Sequence, residues 1–143
     1  MSVRRFLPDD PQEWLSRARS NLQRARAQME GVYLEDLCFD AQQAAEKAIK
    51  AVLIHRKVAF PYVHDLARLL TLVEQTGQIV PELVKQAAKL SRYAVATRYP
   101  GVTEPVSQED YREAVSIAET VVRWAEEALR PQSGKMAEAR GEP

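Results

Sequence analysis

The chain has a single cysteine, Cys38, so no internal disulfide can form and the cysteine clusters of structural zinc sites are excluded. Only five glycines occur in 143 residues, in neither a Gly-x-Gly-x-x-Gly nor a Gly-x-x-x-x-Gly-Lys-Ser/Thr arrangement, which excludes a phosphate-cradling glycine loop. Neither charge sign is in excess: Lys and Arg number 20, and Asp and Glu number 20. That balance rules out the global field of a histone-like polyanion binder and leaves only local patches to consider. No apolar run approaches the roughly 20 residues that span a bilayer, and Met1-Ser-Val-Arg-Arg-Phe lacks an apolar signal region. With one unpaired thiol, these absences predict a cytoplasmic protein without membrane association. The two histidines, His55 and His64, have no metal-ligand spacing, and there is no Gly-x-Ser-x-Gly nucleophile elbow. No metal, no cofactor and no catalytic residue are expected.

What is present is 45% hydrophobic and 28% charged sequence, long enough to bury roughly 70% of its unfolded surface in one core. Stretches between Gly and Pro are longer than strands and carry apolar residues at helical spacing, which predicts an all-α fold. A first helix should run from Asp10-Pro11 to about Gly31, opened by an Asp10/Glu13 capping box. Trp14, Leu15, Ala18, Leu22, Ala25 and Met29 mark its apolar face, with Arg17, Arg19, Arg24 and Arg26 solvated. The longest periodic segment, about Val32 to Arg56, has a broad face rich in alanine that permits close helix contact. A short helix from His64 or Asp65 stops near Gly77, and another opens at Pro81 with Leu83, Val84, Ala87, Leu90 and Ala94 inward, ending near Arg98. The last begins at Ser107, with Asp110 placed for a cap, and stops at Pro131. The expected organisation is an N-terminal extension over 1–10, a helical domain over 11–130 and a flexible tail over 131–143.

One segment stands out chemically. From Lys85 to Arg98 there are four cations, Lys85, Lys89, Arg92 and Arg98, and no acid. On an α-helix Lys85, Lys89 and Arg92 lie within roughly 60° of one another, opposite the apolar face. An anion would relieve that repulsion, and Tyr93 and Tyr99 could stack on a base. The same stripe also reads as a solvated face. His64 reads as settling the start of the third helix, and His55 as sitting at the carbonyl end of the second.

Three blocks in order, Asp40-Ala41-Gln42-Gln43-Ala44-Ala45-Glu46-Lys47-Ala48-Ile49-Lys50-Ala51, Val63-His64-Asp65-Leu66 and Ser91-Arg92-Tyr93-Ala94-Val95-Ala96-Thr97-Arg98-Tyr99-Pro100-Gly101, resemble the signatures of the HEPN domain (higher eukaryotes and prokaryotes nucleotide-binding). The resemblance covers about Pro11 to Leu129. It implies an up-and-down antiparallel bundle of four main helices plus a short additional one. It also implies a homodimer, and in many prokaryotes a small nucleotidyltransferase encoded alongside. Members of this fold cleave RNA as toxins or bind nucleotides. The cleaving members carry Arg, four to six residues, then His, on the helix that here holds Arg92. Five residues after Arg92, that His position is Arg98. Arginine, with a pKa above about 12, cannot exchange a proton with a ribose hydroxyl near neutral pH. The expectation is therefore a non-catalytic protein that binds a nucleotide or RNA at a basic dimer cleft through Arg92, Arg98, Tyr99, Tyr93, Lys89 and Lys85. The alternatives are a ribonuclease toxin of a toxin–antitoxin pair, with a base such as His64 brought near Arg92 by folding, and a pure protein-interaction module. For Arg98 a helix-capping role stands beside phosphate contact.

Overall fold

A computed structural model describes residues 3–94 and 105–131. Within them the chain forms α1 (Pro11–Arg26), α2 (Leu34–His55), α3 (Leu66–Gln75), α4 (Glu82–Lys85), a 3₁₀ helix (Gln86–Tyr93) and α5 (Gln108–Leu129), with no strand. Helix α2 is central and packs against α1, α3, the 3₁₀ helix and α5. Side-chain pairs fix the directions. Asn21 meets Asp40 and Lys47, Arg24 meets Asp40, and Arg19 and Arg26 meet Glu126 and Glu119, so α1 runs antiparallel to both α2 and α5. His64 bonds Glu46 while Arg56 bonds Thr76 and Gln78, so the segment 56–65 doubles back and α3 runs in the same sense as α2. α4 and the 3₁₀ helix return against α3, with Glu74 on Lys85 and Leu66 on Ser91. The four main elements therefore alternate in direction, and α3 is the additional helix.

The alanine face of α2 builds the core. Ala41, Ala44, Ala45, Ala48 and Ala51 have no exposed surface, and Ile49, Val52 and Leu53 fill the space between helices. Such a face tolerates little bulk, because added methylenes in a packed interior cost about 1–3 kcal/mol. Ala45→Leu should lower the thermal midpoint in a circular-dichroism melt; an unchanged midpoint would contradict the assigned packing.

Helix ends follow local chemistry in most places. Ser107 and Asp110 form a reciprocal capping box. Gly77 takes a left-handed φ of 93° beyond α3 and donates to Glu74 O. Lys57 does the same job after α2 at φ 61°, where its N–H bonds Ile54 O and that of Val58 bonds Leu53 O. This is a Schellman motif with lysine where glycine is usual.

Three expectations are corrected. α1 stops at Arg26 rather than near Gly31, because the Tyr111 hydroxyl takes Ala25 O, the carbonyl that a further turn would offer to the N–H of residue 29; Met29 lies outside the helix and is exposed. Asp10 caps α1 through Gln12 N, but Glu13 does not close the box: it accepts from Phe6 N and Arg17 instead. The arginines of α1 are exposed as expected but are also ion-paired, Arg17 to Glu13, Arg19 to Glu126, Arg24 to Asp40 and Arg26 to Glu119. The tail beyond residue 131 lies outside the described residues.

Candidate nucleic-acid interface

The basic segment winds differently from the expected α-helix. After one turn of α4 it tightens into eight residues of 3₁₀ helix, and the buried positions Val84, Ala87, Leu90 and Tyr93 recur every three residues, which is the 3₁₀ repeat. Leu83, expected inward, is 70% exposed as a result. The cations are redistributed by the same geometry. With three residues per turn, Lys89 and Arg92 share a row and Lys85 is turned away from it. Lys85 bonds Glu74 at 3.0 Å and lies 3.6 Å from Glu82, and the Glu74 carboxylate holds its ammonium above the ordinary lysine value. Lys89 and Arg92 instead flank a groove of about 260 Å³ with Tyr93, closed on the α5 side by Asp110 and Glu113. Lys89 lies 3.4 Å from Glu113. Arg92 is exposed, makes no ion pair among the described residues, and stands over the Tyr93 ring at 4.8 Å.

Tyr93 is not a platform for a base, which corrects that expectation. It is only 5% exposed, and the Arg92 guanidinium stands over its ring. Burial pushes its hydroxyl up to about 12, and burial likewise pushes the neighbouring Cys38 thiol up to about 12, so both stay neutral beneath the arginine. The structure thus brings together Lys89, Arg92 and Tyr93, with Tyr93 supporting Arg92 by a cation–π contact, and places Lys85 elsewhere. Arg98 and Tyr99 lie outside the described residues.

The same 3₁₀ helix is tied to a buried polar cluster that the sequence pattern only partly revealed. Ser91 Oγ accepts from Leu66 N at the start of α3, while Asp65 caps that helix through Ala67 N. His64, expected to settle this helix start, turns away to place Nδ1 2.8 Å from Glu46 Oε1. Glu46 is 5% exposed and also accepts from Gln42 and from Lys50, which is itself 5% exposed. Burial opposes its ionisation, but the bonds from Lys50, His64 and Gln42 prevail and hold its carboxyl below the ordinary value. Lys50 is further enclosed by the rings of Trp14, Phe60 and Tyr62. Gln42, Glu46 and Lys50 recur at every fourth position on α2, a polar line through an alanine face that was the available signal. His55 ends α2 and is exposed. Among the described residues no group of His, Cys, Asp or Glu is arranged to hold a metal ion, and no helix is long and apolar enough to cross a membrane.

This is a single-chain helical bundle that sets an exposed, ring-supported arginine on a 3₁₀ turn beside the closing helix. The chain belongs to the HEPN domain family, whose model matches residues 11–128. It is similar to a protein of known structure from Thermus thermophilus, with 31% identity over 83% of this chain and 98% of that one at a TM-score of 0.70. It is also similar to an archaeal HEPN homologue of known structure, with 26% identity over 85% of this chain and 98% of that one at a TM-score of 0.69. No curated protein matches it.

Proposed function

We propose that this protein is a non-catalytic HEPN protein that holds phosphate groups of a nucleotide or RNA at the groove beside Arg92. One observation carries the reading: Arg92 is exposed, supported from below by Tyr93, and lacks a carboxylate partner among the described residues, whereas its neighbours Lys85 and Lys89 are engaged. A guanidinium so placed offers a fork of donors to a phosphate oxygen pair. Arg98 and Tyr99 follow in sequence and extend the same basic segment. Arg98 in place of the family's histidine supports binding over cleavage, since it supplies charge and no titratable proton near neutral pH. Membership of the family supports action as a homodimer, with the two copies lining one cleft, in the cytoplasm and alongside a small nucleotidyltransferase partner.

The charges of the groove give the test. Titration of a labelled single-stranded RNA should show Arg92→Ala weakening binding by about tenfold or more, with a smaller dependence on salt because fewer counterions are released. Lys85→Ala, directed at Glu74, should leave affinity within about twofold. Glu113→Ala should tighten binding, because it releases Lys89 and removes a carboxylate from the groove. Equal affinity for wild type and Arg92→Ala would overturn the proposal.

A second reading is a ribonuclease using Arg92 with His64: the Leu66–Ser91 bond ties the start of α3 to the residue before Arg92, while the His64 ring itself is directed to Glu46. Metal-independent cleavage that is lost in both Arg92→Ala and His64→Ala would select this reading.

A further inference from the structure

Away from that groove, the N-terminal segment folds back beside α1 and α2 and borders a second, half-open cavity of about 490 Å³. Its roof is pinned at two points. Phe6 N donates to Glu13 Oε1 at 2.8 Å, and Trp14 Nε1 donates to Pro8 O at 2.8 Å. These bonds hold Phe6, Pro8 and the Trp14 indole as apolar walls. The polar lining is one-sided: Arg5, Arg17 and Lys47 against the single carboxylate of Glu13. That carboxylate is already committed to Phe6 N and to Arg17 Nε, and those bonds hold it below the ordinary value. Arg17 spends one of its five donors on Glu13, and Lys47 spends one of its three on Asn21 Oδ1. Burial, and then the nearby Arg17 charge, push the Lys47 ammonium below its ordinary value.

We infer that this cavity is a binding site for a small ligand built as a planar ring bearing a phosphate, with the phosphate among Arg5, Arg17 and Lys47 and the ring against the Trp14 indole, beside the Phe6 ring that carries the Arg4 guanidinium at 4.8 Å. The size falls in the range of small-molecule sites, and the combination of mostly apolar walls with a few converging polar groups is what such sites share. A dianion matches an excess of two cations and relieves the crowding of Lys47 by Arg17, while the aromatic walls reward a flat ring over a bare ion. The site shares no residue with the Arg92 groove, so either can fail without the other.

Trp14 reports on it directly. In a Trp124→Phe protein, Trp14 is the only tryptophan, and its fluorescence can be followed during titration with phenyl phosphate, adenosine 5′-monophosphate or inorganic phosphate. The expected result is a saturable change with at least one of the two ring-bearing phosphates. It should shift to at least about tenfold higher concentration in Arg5→Ala and in Lys47→Met, and stay unchanged in Arg92→Ala. Arg5 is exposed, so its removal should leave the fold intact, and that variant keeps the test valid if Lys47→Met melts early. No saturation by either ring-bearing phosphate up to about 5 mM, equal affinity for inorganic phosphate, or unaltered titrations in Arg5→Ala would each overturn the inference.

Discussion

Glu46→Gln should destabilise the protein by about 3–5 kcal/mol, the usual cost of removing one partner of a buried ion pair. The substitution preserves shape and leaves Lys50 Nζ without its 2.8 Å carboxylate partner. Three rings remain around that ammonium, at 5.9 Å for Trp14, 5.5 Å for Phe60 and 5.6 Å for Tyr62, and they soften the loss without replacing an anion. The melting temperature should fall by roughly 10–20 °C. The pH dependence has a definite sign. Because the Glu46 carboxyl is held below its ordinary value of 4.5, its contribution is present above that value and is lost as pH falls through the lowered one. Wild type should therefore lose stability on acidification more steeply than Glu46→Gln in paired melts. Parallel acid profiles would show that the buried carboxylate is not ionised.

Leu90→Ala should cost about 2–5 kcal/mol, the transfer and cavity cost of a fully buried leucine. Leu90 is 1% exposed on the row of the 3₁₀ helix that faces the core, two residues before Arg92. The loss should extend to function, since this row sets where the Arg92 guanidinium stands relative to Tyr93. RNA affinity should fall in Leu90→Ala even at temperatures where the protein is fully folded. A destabilised variant with wild-type affinity would mean that Arg92 keeps its position independently of the 3₁₀ packing.

The ease with which each feature could be read from sequence follows the range of the interaction that makes it. Ser107 and Asp110 lie three residues apart and cap α5 as read, and the alanine face of α2 needed only its own periodicity. The stop of α1 was not legible, because it depends on a hydroxyl from Tyr111, far along the chain, occupying Ala25 O. The recurrence of Val84, Ala87, Leu90 and Tyr93 at a strict interval of three was visible but close to the helical spacing of 3.6, and reading it as α placed Lys85 on the wrong row. For the polar cluster, Gln42, Glu46 and Lys50 were legible as a line along α2. Their partner His64 reaches them only because the segment after α2 doubles back. The family blocks carried the groove residues Arg92 and Tyr93, but not the burial that makes Tyr93 a support for the arginine instead of a surface for a base.

Binding and cleavage can be read from one incubation. Labelled single-stranded RNA incubated with the purified protein and a chelator is divided, one half run natively and the other denatured. Retarded RNA is expected on the native gel, full-length RNA on the denaturing gel, and loss of the retardation in Arg92→Ala. RNA shortened by wild type and left whole by Arg92→Ala would contradict it, and would make this groove the active site of a ribonuclease.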